Sequence, residues 1–546
     1  MPEVALTIRW ADGHRQSGTS PSRAIQRWLV EQAVYPRNEL VDRLQRGLAE
    51  ASDRVRERFG VACTAAAQLR DELVAGAVAH GVAADAPAFV ERLRPARPPV
   101  VYAPPDRLAS HVDVAVIGGG QAGLAASWHL RRHGIEHLVL ERDRVASSWR
   151  DHRWDTFCLV TPNWQCRLPG HPYRGSDPDG FMVKDEIIDY VESFAASFGP
   201  PLREGVAVAA VQRRDRRGFI LDTSHGPVHA NQVILAIGGY HRPALPGVAS
   251  VLPSSITQLH SSGYRNPSSL PDGAVLVVGS GQSGAQIAED LLVAGREVHL
   301  SVGSAPRVAR GYRGRDCVAW LGDIGHYDMP IDDHPQGLGA RREPNHYVTG
   351  RDGGHDIDLR AHARAGMRLH GRVSAEGNGT LLFSDDLRRN LDAADATAER
   401  IKDRTDAWID ERGIDAPPEE RYRPVWEPPA DAEPPLRLQD AGIRTVVWAT
   451  GFHSDWSWVE VPAFTRHGYP RHQRGVCDVP GLYVLRLPWL YTWGSGRFAG
   501  IDRDAEHVTE HVTRRARVPA SVRARAARCE RAKGPERALR AFRRDC

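Results

Sequence analysis

An α/β protein containing two Rossmann-like dinucleotide-binding domains is what the 546-residue sequence predicts, and three observations predict it. The phrase VAVIGGGQAGLAASWHLRRHG, Val114 to Gly134, returns almost unchanged as VLVVGSGQSGAQIAEDLLVAG, Val275 to Gly295. In each copy an apolar, strand-like run ends in Gly-x-Gly-x-x-Gly and opens a helical stretch closed by a glycine; Gly134 and Gly295 each lie 16 residues beyond the first glycine of their set. Ahead of both copies, residues 1–95 read as a small α/β module of their own. It has strand-like VALTIRW, a turn at Asp12-Gly13, and a helical stripe through Leu40, Leu44, Leu48, Ala51, Val55 and Phe59.

Between module and first copy, RPARPPVVYAPPDR holds five prolines within residues 95–105, each removing a backbone donor that a helix or central strand needs. Residues 96–110 are therefore expected to be a linker. From His111 the pattern runs strand, glycine turn, helix, strand, and it does so again from Asp272. Residues 311–440 are polar and proline-rich and are expected to supply substrate-facing loops, and the Arg/Ala-rich tail 512–546 a solvated helix or frayed terminus.

Composition removes several function classes. A 41% hydrophobic, 25% charged chain with a net charge of +3 is ordinary for a soluble globular protein, and no basic block with interleaved aromatics points to nucleic acid. The first residues lack a basic region followed by an apolar core, and no apolar run approaches the roughly 20 residues that span a bilayer, so a cytoplasmic protein without membrane contact is expected. The seven cysteines are odd in number and none are spaced Cys-x-x-Cys, which argues against a disulfide framework, a zinc cluster and a dithiol redox pair. No Ser-His-Asp set or metal-ligand cluster has convincing spacing.

The chemistry is carried by the two glycine loops. A strand ending in Gly118, Gly120 and Gly123, or in Gly279, Gly281 and Gly284, lets the backbone approach a pyrophosphate, whose charge the free N–H groups of the following helix stabilise. In the first copy Glu141, 23 residues after Gly118, ends the second strand HLVLE, where a carboxylate accepts hydrogen bonds from a ribose 2′-hydroxyl. Alignment through Gly134 and Gly295 puts Val302 opposite Glu141, with Ser301 and Gly303 beside it, so the second copy has no acid. Arg307 and Arg310 follow, and a 2′-phosphate is better held by guanidinium and hydroxyl groups than by a carboxylate. The expected cofactors are FAD at the first loop and NADPH at the second.

These residues resemble the flavin-containing monooxygenases and their relatives with two dinucleotide-binding domains, over about residues 111–510. VILAIGGYHRPALPG looks like the segment where such chains leave the FAD domain, VVWATGFHSDW like the Ala-Thr-Gly-[Phe/Tyr] signature where they return, and PGLYVLRLPWLYTWGSGRFAG like the approach to the last flavin-contacting helix. The family's linker motif is half matched: His260 and Tyr264 fit, while Ser254 and Ile256 stand where Phe and Gly belong. SSWRDHRWDTFCLVTPNWQCRLPGHPY, GFMVKDEI, HSSGYRNP, NHYVTGRDGGHDIDLR and TWGSGRF are similar to a subgroup of flavin-dependent oxidoreductases from bacterial nitrilase gene clusters. The module resembles a short family of nitrogen-starvation response proteins, through TIRWADG, YPRNELV and ASDRVRERFGVAC.

The resemblance implies that the second dinucleotide domain is inserted in the first: 111–270 and 441–511 for FAD, 271–440 for NADPH. It implies that NADPH reduces FAD, that O2 adds at flavin C4a, and that the hydroperoxide passes one oxygen atom to a soft nucleophile of a small nitrogen-containing metabolite. Asn163 stands where amine monooxygenases carry an amide near the oxygen, and Arg497, between glycines, is the other candidate catalytic residue. Trp149 and Trp154 are candidates to flank the flavin, Thr450 and Gly451 to touch cofactor, and His346, Tyr347 and Asp356 to line a substrate pocket. Two alternatives stay open: an FAD-dependent NADPH reductase without oxygen insertion, and a nitrogen-status sensor or scaffold working through the module. A protein partner for the module and a homodimer are open as well.

Overall fold

The computed structural model describes residues 4–20, 23–31, 33–59, 64–79, 83–95, 108–214, 218–377, 379–431 and 434–517. Most of the linker expected at 96–110 and most of the tail expected at 512–546 lie outside the described residues. The chain divides into two compact units, Met1–Val101 and Tyr102–Cys546.

The smaller unit is an antiparallel sheet in the order Arg15–Ser20, Val4–Arg9, Pro87–Pro95, Val34–Pro36, with helices Arg37–Phe59 and Thr64–Ala79. The alternation of VALTIR places Val4, Leu6 and Ile8 in the core, where they meet Leu40, Leu44 and Leu48 of the helical stripe.

In the larger unit both glycine phrases fold as strand, turn and helix. The first sheet has a parallel centre in the order Leu202–Arg203, His137–Leu140, His111–Ile117, Val228–Leu235, Leu482–Val484. The second is parallel throughout: Thr257–His260, Ile443–Trp448, Ala274–Val278, Val298–Ser301, Arg368–His370. Helices Gln121–Arg132 and Gln282–Val293 follow the two loops. Strands covered on both faces read as unbroken apolar runs, which is why Val114–Val116 and Val275–Val277 are buried without alternation.

Two boundaries differ from those expected. Thr257–His260 and Ile443–Trp448 flank the expected insertion at 271–440, yet both are strands of the second sheet; Val275 pairs with Thr445 and Val277 with Val447. The return to the first sheet therefore comes after Trp448: Phe452–His453 pairs antiparallel with Arg242–Pro243 in a separate two-stranded sheet, and Val459–Glu460 then joins the first sheet beside Val208–Arg213. At the other end the helix Ile501–Arg517 runs past 512, with Val512 in the core, so the first residues assigned to the tail are structural. No helix among the described residues is long and apolar enough to cross a membrane.

Candidate functional site

The two loops are built alike down to their steric limits. Gly118 has φ +105, and a Cβ there would lie 2.9 Å from the carbonyl oxygen of Ala236; one on Gly123 would lie 1.8 Å from that of Gly118. Gly279 has φ +101, with the corresponding approaches 2.7 Å to the Ala449 oxygen and, from Gly284, 1.8 Å to the Gly279 oxygen. Only glycine lets the helix sit this close to the strand. A Cβ on Gly120 or Gly281, by contrast, would meet nothing within 4 Å. Neither helix has a side-chain cap, so its first N–H groups face that open side and can bind an anion.

At the rim the copies diverge. In the first, Glu141 bridges strand end and loop: one carboxylate oxygen accepts from Gly119 N–H (2.6 Å), the other from Asp143 N–H (2.9 Å). Burial raises its pKa, and the two backbone donors oppose that rise. In the second, the loop supplies the acceptor instead: Ser280 Oγ takes the N–H of Gly303 at 3.0 Å. The same two segments are bridged with donor and acceptor exchanged, and the carboxylate is gone.

The residues expected to replace it are engaged by other partners. Ser301 is buried, donating to Gly371 O (2.9 Å) and accepting from Val373 N–H (3.1 Å). Arg307 is buried in an ion pair with Asp395 (2.6 Å) and lies over the Tyr422 ring. Arg310 donates to Val160 O (2.8 Å) and pairs with Asp316 (2.9 Å). Both guanidinium groups are engaged in holding loops together, so neither stands unpaired for a 2′-phosphate. Arg307→Ala is thus expected to cost about 1–3 kcal/mol of stability, since it leaves Asp395 to Arg360 alone, while leaving NADPH affinity unchanged; thermal melts beside a cofactor titration check it.

Thr450 donates to Ala244 O, and the Gly451 carbonyl accepts from Ala244 N–H (3.0 Å) and bonds the His260 ring (2.9 Å). They sit at the carboxyl edge of the second sheet and tie down the crossing back to the first. Tyr264, the other matched linker residue, donates to Asp290 at 2.6 Å. The half-matched motif is thus a brace between linker and second-copy helix.

Asn163 is buried with both ends of its amide engaged: Nδ2 donates to Asp177 O (3.0 Å) and Oδ1 accepts from Met182 N–H (2.7 Å). It clamps the 177–182 loop. Trp149 stacks on Phe498, with ring centroids 5.8 Å apart, and Trp154 is core, edge-on to Phe157. Arg497 lies over the Trp493 ring and donates to Asn345 (2.7 Å). His346, next in sequence, is deeply set, its pKa pushed down to about 4 first by burial and then by Arg497. Tyr347 and Asp356 are not with them: Tyr347 is core, and Asp356 accepts the Arg310 backbone N–H. Among the described residues Cys158, Cys166, Cys317 and Cys477 are buried and unpaired, with burial raising each thiol.

Sequence reasoning missed a second repeat. Leu235-Ala236-Ile237-Gly238 and Trp448-Ala449-Thr450-Gly451 each end the strand beside a glycine loop, and the alanine carbonyl is what Gly118 or Gly279 meets. The shared Ala-x-Gly was the available signal. It also missed Arg153 and Arg486, whose only signal is an arginine set in apolar or aromatic sequence.

The fold and the paired loops define an oxidoreductase of the two-dinucleotide class, whose cofactors are FAD and a nicotinamide dinucleotide. The chain belongs to the CzcO-like oxidoreductases: it is 32% identical over 405 residues to an uncharacterized oxidoreductase CzcO-like of Geobacillus kaustophilus, covering 73% of this chain and 98% of that one. Residues 115–318 match the family described as pyridine nucleotide-disulphide oxidoreductase, and residues 5–92 match the nitrogen starvation-induced protein NitG. Indole-3-pyruvate monooxygenase YUCCA4 of Oryza sativa subsp. japonica is 29% identical over 234 residues, 39% of this chain and 53% of that one. A flavin-containing monooxygenase from Stenotrophomonas maltophilia has the same fold at a TM-score of 0.53 and 20% identity, over 75% of this chain and 100% of that one.

Proposed function

We propose that the chain is an NADPH-dependent flavoprotein monooxygenase, with FAD on the Gly118–Gly123 loop and NADPH on the Gly279–Gly284 loop. The observation that carries it is the exchanged bridge at the rim. Glu141 retains acceptor capacity for ribose hydroxyls beside the first loop. Beside the second, Ser280 and Gly303 close the same gap without charge, so a 2′-phosphate meets no carboxylate there.

FAD, when bound, supplies hydride acceptance and reaction with O2. This chain's own residues do the rest. The glycine loops bring backbone N–H groups to each diphosphate. Trp149, packed on Phe498, closes an apolar wall against water. A dithiol relay is left out of the reading, since the four described cysteines are buried with raised thiol pKa values. The names of the plant relative and of the Stenotrophomonas protein support oxygen transfer over simple reduction. The match at residues 5–92 supports a small nitrogen-containing substrate, from the nitrile-related metabolism suggested by the nitrilase-cluster likeness.

Rapid mixing of the NADPH-reduced, FAD-loaded chain with O2 tests this. A transient absorbance species between the reduced and oxidised spectra is the expected result, and single-step reoxidation would favour the reductase. NADPH is expected to reduce the flavin at least about tenfold more efficiently than NADH, each tenfold being about 1.4 kcal/mol of discrimination. Equal efficiencies would remove NADPH from the second loop.

A further inference from the structure

Three arginines of the larger unit have no counter-ion. Arg153, Arg486 and Arg497 form no ion pair among the described residues, and the ionisable group that acts on all three is the Tyr240 phenol. Arg153 donates to His152 O at 2.8 Å and lies over the Trp149 and Phe157 rings, and Arg497 is held by Trp493 and Asn345. The Arg486 guanidinium has no hydrogen-bond partner among the described residues, and its backbone takes a left-handed φ of +63. Protein surrounds all three guanidinium groups, and desolvation lowers the pKa of each, to about 10 for Arg153 and Arg497. All three residues nevertheless keep some solvent contact and are not part of the core. A desolvated guanidinium without a partner is costly, and a strained backbone at its root adds to the cost.

Arg486 is placed by the first sheet. Leu482–Val484 pairs with Val228–Leu235, which pairs with His111–Ile117, the strand that ends in Gly118. Arg486 therefore leaves the carboxyl edge two strands from the glycine loop, roughly 10 Å at the usual strand spacing. Its side chain turns back toward the loop: a Cβ on Gly238, at the end of the middle strand, would be 3.1 Å from Arg486 Nη1. A second path joins the same points. Gln121, the first residue of the first-copy helix, donates to Gly496 O at 2.8 Å, and a Cβ on Gly496 would lie 3.3 Å from Arg486 Cγ.

Arg153 comes to the same turn through Trp149, over whose ring it lies and which stacks on Phe498, two residues from Gly496. We propose that Arg486 and Arg153 bind the diphosphate of the dinucleotide seated on the Gly118–Gly123 loop, completing with two guanidinium groups what the uncapped helix begins with N–H groups. The proposal rests on the reading of that loop as the FAD site. A diphosphate carries the two negative charges that two unpaired arginines lack, and planar guanidinium is the donor suited to phosphate oxygens. The carboxyl edge of the parallel strands is where such a ligand lies in this class of sheet. Arg497, directed to Asn345 and Trp493, stays outside the assignment.

The test uses the full-length chain stripped of flavin, titrated with FAD, with ADP and adenosine as competitors. Arg486→Gln and Arg153→Gln are each expected to weaken FAD and ADP by about tenfold or more and to leave adenosine unchanged, because only the diphosphate loses a charged partner. Arg486→Lys keeps the charge without the fork and is expected to fall between wild type and Gln. If Arg486→Gln fails to fold, that series and Arg153→Gln carry the test. Unchanged FAD affinity in the Gln variants overturns the proposal, and so does an equal loss for ADP and adenosine, which would mark a purely structural role. A wild-type chain that binds neither FAD nor ADP overturns the FAD reading of the loop, and this proposal with it.

Discussion

Gly284→Ala is expected to leave FAD bound at full stoichiometry and to shift its reduction to much higher NADPH concentration, while Gly123→Ala is expected to yield protein depleted of flavin. Both follow from the same number. In either helix the new methyl would lie 1.8 Å from a backbone carbonyl oxygen, Gly279 in one case and Gly118 in the other, so the helix must move away from its strand. Forced repacking of this kind costs about 1–3 kcal/mol or more, and it moves the N–H groups that face the diphosphate. At 1.4 kcal/mol per tenfold, dinucleotide affinity at the altered loop falls by about 10- to 100-fold. The readouts separate the loops: flavin absorbance per chain reports the first, and the anaerobic reduction rate as a function of NADPH concentration reports the second. Flavin lost in Gly284→Ala and kept in Gly123→Ala would reverse the cofactor assignment. Equal loss of flavin in both would show that the loops do not act as independent sites.

What the sequence discloses about this fold is what lies within a short window. Glycine spacing, the apolar runs before Gly118 and Gly279, and the acid at Glu141 are each local, and each sits in the structure as an expected piece of a βαβ unit. The alternation of VALTIR against a four-residue leucine spacing was likewise enough for the small module. What stayed hidden depends on which distant strands are neighbours. Ile443–Trp448 carries the same apolar run whichever sheet it joins, and its pairing with Ala274–Val278, some 170 positions earlier, decides that it serves the second loop. Arg307 and Arg310 read as phosphate ligands because they follow the strand at the right distance. Asp395 and Asp316, which occupy them, come from a later helix and a neighbouring turn, and nothing in VGSAPRVAR announces either. Arg486 shows the reverse. An arginine in an apolar strand end drew no reading from sequence, and the absence of a carboxylate beside it, with its approach to Gly238 and Gly496, marks it as a ligand for something else.

Asp504→Asn is expected to stabilise the chain at pH 8 and to change it little at pH 5. Asp504 lies in the first turn of Ile501–Arg517, fully buried, and neither of its carboxylate oxygens has a hydrogen-bond partner among the described residues within normal distance. Burial pushes its pKa up to about 6, against the relief offered by the nearby Ser495 hydroxyl and by Arg503 and Arg474. The folded state thus holds a proton between about pH 4 and 6 that the unfolded chain releases, so stability contributed by this site falls as pH rises through that window. Above it, keeping the carboxylate ionised costs on the order of 1–3 kcal/mol, which an isosteric amide removes. Thermal midpoints of both proteins from pH 5 to pH 8 measure the difference, which should grow with pH and level off above about 7. A constant difference would mean that the carboxylate is not desolvated, and a less stable variant at pH 8 would mean that the ionised form has a partner. The helix of Asp504 packs on Gln121–Arg132, where His129 bonds Asp502 at 2.7 Å, so the charge stands beside the element that presents the first loop's N–H groups. FAD affinity is expected to stay unchanged in Asp504→Asn, because His129 lies in the last turn of Gln121–Arg132 and the N–H groups that face the diphosphate are at its other end; a flavin titration checks it.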